Sequence, residues 1–175
     1  MVSLAPNTAL QPGVRVGHVD ALWRYPVKSM LGERLDRLDI EPRGVVGDRA
    51  YALWDEASGR VASAKHPRKW ADLLRFQAHY LAEPVSGQAL PPVAVRGPVR
   101  GAAAELETLC SDDPSLVGLL SAWFGRPLRL LDQPPEGASL EHYWPAVEGR
   151  EFQEVTNDLA LPTGTFFDAC PIHAL

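Results

Sequence analysis

A lysine and a serine stand side by side in "WRYPVKSM" (residues 23–30), an arginine follows an acid in "GDRAYALWD" (47–55), and a second serine and lysine sit in "ASAKHPRKW" (62–70). Each group suits one kind of partner. The Lys28 ammonium, the Ser29 hydroxyl and nearby backbone N–H groups suit a phosphate or another oxyanion. Arg49 presents a planar fork that reads an anion through two parallel hydrogen bonds, which a lysine cannot do. Ser63 and Lys65 are two residues apart and share a face on a strand, while His66, Arg68 and Lys69 crowd the next turn. Groups of one sign are costly to gather without an anion among them. Each motif also has an ordinary alternative: Lys28 solvated at a strand end, Arg49 paired with Asp48, and the last cluster displayed to water.

These residues need elements that hold them. In "HVDALWRYPVKS", Val19, Ala21, Trp23, Tyr25 and Val27 alternate with His18, Asp20, Leu22, Arg24 and Lys28, the two-residue period of a strand. Pro26 donates no ladder hydrogen bond, so the strand ends there or lies at an edge. Neighbours on a strand point to opposite faces, so Lys28 and Ser29 meet one ligand only if the backbone breaks between Pro26 and Gly32. "RLDRLDIEPRG" predicts a short strand ending at Pro42. "DRAYALWDEASGRVASAK" predicts a hairpin turning at "DEASG", with Gly59 supplying a positive φ. "LLRFQAHYL" predicts a strand with Leu74, Phe76, Ala78 and Tyr80 on one side, and residues 84–101 a loop with a weak strand, "PPVAVRG".

One helix is well marked. "SDDPSLVGLLSAWFG" opens with capping residues and Pro114, carries Leu116, Leu119, Leu120, Trp123 and Phe124 on one stripe, and closes at Gly125. "RPLRLLD" follows as a strand. Residues 133–151 are polar, without a clear period, and read as loop. Residues 1–15 read as a flexible leader, 16–132 as one domain, and 133–175 as a loop and the start of a further segment. The fold class is mainly β (α+β), with one or two packed helices.

Composition narrows the function. The 175 residues have 46% hydrophobic content and a net charge of −5, enough for a core and against general nucleic-acid binding. Charge is uneven: residues 15–75 hold 12 Lys/Arg against 9 Asp/Glu, the remainder 5 against 13. The first half therefore offers local positive charge to a small anion. No run of 18 apolar residues spans a membrane. With no export signal, Cys110 and Cys170 read as reduced thiols in a cytoplasmic protein.

Other chemistries lack their residues. Cys170 and His173 have a C-x-x-H spacing, but zinc needs two more ligands. A Cys170–His173 nucleophile pair is a distant alternative, against the plainer reading of a buried thiol. The phosphate-loop spacing G-x-x-x-x-G-K-[ST] is absent. Ser63-x-Lys65 is not the S-x-x-K of serine acyl transferases.

Taken in order, "YPVKSM-GE", "GDRAYALWDEASGRVASAKHPRKWADLL" and "FFDACPIHAL" resemble the N-terminal β-barrel domain of MOSC proteins, relatives of the mitochondrial amidoxime-reducing component. The resemblance implies a molybdenum cofactor (molybdopterin) with an anionic phosphate tail, contacted by Lys28, Ser29 and Arg49, with Lys65 beside the same pocket. It also implies, at the level of the family, molybdenum ion binding, oxidoreductase activity by reductive N–O cleavage or sulfur transfer, and pyridoxal phosphate binding. In such proteins the molybdenum-ligating cysteine lies in a C-terminal MOSC half that follows the "FFDACPIHAL" segment. Neither Cys110 nor Cys170 matches it. The expectation is therefore part of a cofactor pocket, weak or incomplete alone, with no catalytic residue and no metal ligand of its own. A separate MOSC C-terminal half or a redox partner is the expected partner, with no nucleic acid and no membrane. The alternative is a non-catalytic interaction domain that docks such a half or another partner through the apolar stretch "ALPTGTFFDACPIHAL".

Overall fold

The computed structural model describes residues 17–42, 44–99, 102–146, 149 and 154–166. It is mainly β, with two short helices. The strands are β1 (Leu22–Arg24), β2 (Glu33–Leu35), β3 (Ile40–Glu41), β4 (Gly44–Val45), β5 (Ala52–Asp55), β6 (Arg60–Val61), β7 (Gln77–Tyr80), β8 (Val93–Val99), β9 (Ala102–Cys110), β10 (Leu128–Leu131), β11 (Ser139–Trp144) and β12 (Val155–Ala160). Helix α1 (Pro67–Trp70) runs into a 3-10 turn (Ala71–Arg75), and α2 (Pro114–Phe124) lies between β9 and β10. Among the described residues no helix is long and apolar enough to cross a membrane.

A five-stranded sheet in the order β10-β5-β6-β11-β12 carries the "GDR" hairpin. Strand β5 is buried on both faces. Leu53 packs with Val27, Leu73, Phe76, Leu116 and Leu128, whereas Ala52 packs with Val61, Ala138, Leu140 and Phe166. The period of two along β5 thus feeds two cores at once. The β5–β6 turn closes as expected: Gly59 has φ +63° and its N–H donates to the Asp55 carbonyl at 2.8 Å. Asp55 is buried but satisfied, accepting from Ala57 N–H, Ser58 Oγ and Arg126 Nη1 at 3.1, 2.8 and 2.7 Å.

A second sheet, β7-β8-β9, covers the larger core. Phe76 is buried against Trp123 and Phe124, with ring centroids 5.8 and 6.0 Å away. A Cβ at Gly97 would lie 2.0 Å from the Phe76 ring, so only glycine fits that position. Helix α2 has the expected caps. Asp113 accepts the Ser115 N–H at 2.8 Å, Pro114 stands in the first turn, and Gly125 ends it at φ +63°.

Several elements differ from expectation, each for a local reason. The first strand is only three residues long, because Val19 is exposed and residues 17–21 lie outside any strand. Leu74 falls in the 3-10 turn and is exposed; Leu73 takes its place in the core. Residues 84–101 hold the seven-residue β8 rather than a weak strand, and Pro98 is accommodated by a register shift between Pro98 and Val99. Cys110 ends β9. The polar stretch 133–151, read as loop, contains β11. Its buried residues, Leu140 and Tyr143, are three apart, which hides the strand period. Strand β11 pairs with β6 in parallel and with β12 antiparallel, so it belongs to the sheet that carries the hairpin.

The most constrained polar group is Arg24, only 2% exposed on β1. It donates to its cross-strand partner Glu33 at 2.8 Å and to Glu83 at 2.6 and 3.2 Å, with the Tyr80 ring 4.9 Å beneath. Burial works against this cation, but the hydrogen bonds to Glu83 and Glu33 outweigh it and raise its pKa. Arg24→Met leaves Glu33 half-buried without its partner and is expected to cost about 3–5 kcal/mol in denaturant unfolding at pH 7; a loss below about 1 kcal/mol would contradict this assignment.

The hydrogen bond from Arg24 holds the Glu83 carboxyl below its ordinary pKa. A carboxylate with a depressed folded pKa stabilises the fold above its unfolded pKa, about 4.3 for glutamate. That contribution disappears as the pH falls through the lower folded value. Glu83→Gln should therefore be destabilising at pH 7, and the difference from wild type should shrink at pH 3, read from urea midpoints at the two pH values. A constant difference would assign the effect to packing.

Candidate functional site

The site begins where β1 stops. Beyond Arg24 the chain leaves strand geometry and runs beside residues 49–51. Arg49 N–H donates to the Tyr25 carbonyl at 2.6 Å, Tyr51 N–H to the Pro26 carbonyl at 3.0 Å, and Lys28 N–H to the Tyr51 carbonyl at 2.8 Å. Proline at 26 suits this path, since only its carbonyl is used. Ser29 then takes φ +64° and Met30 N–H returns to the Val27 carbonyl at 3.2 Å. Val27 and Met30 are buried and hold the turn down. A Cβ at Gly32 would lie 2.1 Å from the Arg24 carbonyl oxygen, so the exit from the turn requires glycine.

This break brings Lys28 and Ser29 to one cavity of about 350 Å³. Arg49 and Lys65 line it as well, together with Tyr25, Met30, Ser63, Ala64 and Leu74. The four residues singled out in the sequence are therefore neighbours in space. Lys28 is 4% exposed, and its Nζ donates to the Phe166 carbonyl at 2.9 Å. Ser29 Oγ accepts the Ala64 N–H at 3.0 Å, tying the two loops together. Lys65 is held by its backbone: its N–H donates to Ser63 Oγ at 3.3 Å, and its carbonyl accepts from Tyr143 N–H at 3.0 Å.

Arg49 is fixed more tightly. Its φ is +49°, uncommon for a residue with a side chain. Asp48 Oδ1 accepts the Tyr25 N–H at 2.8 Å, while Oδ2 pairs with the Arg49 guanidinium, which lies 5.3 Å over the Tyr25 ring. The ordinary alternative, a pair with Asp48, is thus present, and it orients Arg49 at the cavity wall. Arg49 also borders a second cavity of about 250 Å³ with Asp48, Gly47, Asp132 and Phe166.

The cluster after Lys65 divides. Arg68 pairs with Glu154 and lies 4.6 Å over the Tyr143 ring. Lys69 Nζ donates to both Glu141 oxygens at 2.8 and 2.6 Å. His66 is buried against Tyr143, ring centroids 5.4 Å apart. These three are neutralised or packed on the β11 side, and only Lys65 joins the cavity. Tyr25 and Ser63 are the members with polar side chains that were not among the expected site residues. Ser63 carries a legible signal, two residues before Lys65, whereas Tyr25 alternates as a strand residue would. Cys110 is partly buried and does not line this cavity; Cys170 and His173 lie outside the described residues. Among the described residues no group of three His, Cys, Asp or Glu side chains is arranged to hold a metal.

The class of protein is thus a small mainly-β domain in which broken strands collect cations around a cavity. Residues 16–83, which include Lys28, Ser29, Arg49 and Lys65, match the family model of the MOSC N-terminal beta barrel domain. Comparison with curated proteins gives no match, and neither does comparison with solved structures.

Gly47 positions the arginine from two residues away. Its φ is +79°, its carbonyl accepts the Tyr80 hydroxyl at 2.9 Å, and a Cβ there would lie 2.7 Å from Pro84 Cγ and 2.9 Å from the Tyr80 ring. Gly47→Ala combines a left-handed backbone penalty with overpacking and is expected to cost about 2 kcal/mol or more in chemical denaturation. A neutral effect would mean that the 47–49 turn is easily rearranged.

Proposed function

We propose that the cavity is part of a molybdenum-cofactor site, with Lys28, Arg49 and Lys65 holding the anionic phosphate tail and Ser29 adding a hydroxyl. The observation that carries this reading is the convergence of three cations and two serine hydroxyls on one cavity at the break of β1. Its size, about 350 Å³, is at the small end of small-molecule sites, which run from about 300 to 1,000 Å³. The donor set fits a phosphate group: ammonium, guanidinium and hydroxyl donors, held by Asp48, Phe166 and the 63–66 loop. When bound, the cofactor supplies the redox or sulfur-transfer chemistry. The residues of this chain bind and orient its tail, and no catalytic side chain is assigned to them. Residues 133–175, on this reading, lead towards a MOSC C-terminal half, in this protein or a partner, that completes the pocket. The setting is the cytoplasm.

The test is pterin content after production in cells that make the cofactor. Wild-type protein should retain pterin, measured by fluorescence after acid release, and Lys28→Ala and Arg49→Ala should each reduce it by at least about tenfold, the loss expected for a hydrogen bond to a charged group. Equal pterin in all three proteins, or none in wild type, overturns the reading.

A second reading is an interaction domain that docks a separate MOSC half. Strand β12 favours it: this is the edge of the five-stranded sheet, nearly all its residues are exposed, and the exposed Trp144 and Val155 face each other across the β11–β12 pair. Of the apolar stretch 160–175, Phe166 is 1% exposed and packs with Ala52, Val61, Ala138 and Leu140, while residues 167–175 lie outside the described residues. Capture of a separately produced MOSC half that is unchanged in Lys28→Ala and Arg49→Ala, without pterin, would favour this second reading.

A further inference from the structure

We infer that Ser63 is a specificity-determining residue of the cavity, donating its hydroxyl to a tetrahedral oxyanion that the three cations attract. The inference rests on the cavity being an oxyanion site and adds a residue to it. Ser63 is 2% exposed, yet it lines the cavity. Its oxygen accepts the Lys65 N–H at 3.3 Å, and among the described residues its own proton has no acceptor. A buried hydroxyl with an unspent donor is costly, so such protons are normally given an acceptor. One lone pair is tied to the protein and the cavity is the open side. Ser29, also in the cavity lining, repeats the arrangement, with its oxygen accepting the Ala64 N–H at 3.0 Å.

The two hydroxyls thus project from adjacent loops that are bonded to each other. Ammonium groups attract any anion from any direction, and an arginine fork alone satisfies a planar carboxylate. Two hydroxyl donors in addition to that fork match the further oxygens of a phosphate-like group, which a carboxylate lacks. Ser63 therefore separates tetrahedral from planar anions, while Lys28 and Arg49 supply attraction to both.

The experiment is calorimetric titration of the full chain with inorganic phosphate and, separately, with acetate, at constant ionic strength. Wild type should prefer phosphate. Ser63→Ala should weaken phosphate binding about tenfold and acetate binding less than about twofold, as loss of one hydrogen bond to a charged group implies. Ser63→Thr, which keeps the hydroxyl, should restore the preference. Should the alanine variant fail to fold, Ser63→Cys replaces the hydroxyl with a weak donor of similar size and should show the same selective loss. Unchanged phosphate binding in the Ser63 variants, or equal losses for both anions, overturns the role of Ser63 alone, provided Lys28→Ala and Arg49→Ala lose both anions. Phosphate binding that survives in those two variants, or is absent in wild type, overturns the oxyanion site itself and Ser63 with it.

Discussion

The arrangement depends on the irregular segment 25–31 lying against two sheets at once. On one side Lys28 N–H and the Pro26 carbonyl bond to Tyr51, and the Tyr25 carbonyl receives Arg49 N–H. On the other, Leu31 N–H donates to Phe76 and the Leu31 carbonyl accepts Ala78 N–H at 2.9 Å. The bridges Val27–Tyr51 and Leu31–Gln77 are parallel and isolated, so no continuous ladder joins the sheets. A regular strand here would satisfy the same backbone groups but send Lys28 and Ser29 to opposite faces. The break keeps the hydrogen bonds and turns both side chains to one cavity. It also sets Arg49 beside them, because the hydrogen bond to Tyr25 is made by the backbone of Arg49 itself.

The backbone is unfavourable at both functional turns, and packing holds it there. Ser29 and Arg49 are the two non-glycine residues with positive φ among those described. Such conformations cost about 1–3 kcal/mol each and persist only where the surroundings over-determine them. Ser29 is followed by buried Met30 and bonded to Ala64. Arg49 is held by Asp48, stacked over Tyr25 and preceded by Gly47, which tolerates the turn. Asp48 acts on both sides of this junction, since one oxygen takes the Tyr25 N–H and the other the guanidinium. It offsets some positive charge while fixing where the remaining donors point.

Much of this was legible in residue types. Pro26 and Gly32 bracket a break, and the structure breaks between them. Gly59 marks the hairpin turn, and Asp113, Pro114 and Gly125 mark the ends of α2, because turns and caps are local chemistry. The MOSC resemblance of "YPVKS" and "GDR" agrees with the match over residues 16–83. What escaped depends on distant partners. Strand β11 buries Leu140 and Tyr143 against different neighbours, so no period of two appears in its sequence. Strand β9 is rich in alanine and glutamate, which favour helix, and forms a strand because β8 pairs with it. The division of the basic cluster was hidden for the same reason. Nothing in "KHPRKW" says that Arg68 meets Glu154 and Lys69 meets Glu141, acids more than 70 residues away.

Those distant acids also show where part of the acidic excess of a chain of net charge −5 goes. The acidic excess lies outside residues 15–75, and the fold spends part of it on the β11 side, where Glu141 and Glu154 pair with Lys69 and Arg68. Asp158 does the same for Arg60 on β12, and that hydrogen bond holds its carboxyl below the ordinary range. Carboxylates thus neutralise Arg60, Arg68 and Lys69. At the cavity, Lys28 Nζ donates to the Phe166 carbonyl and Arg49 pairs with Asp48. Here the pairing follows the fold: Glu141, Glu154 and Asp158, set on or beside β11 and β12, meet the cations of the basic turn and of β6.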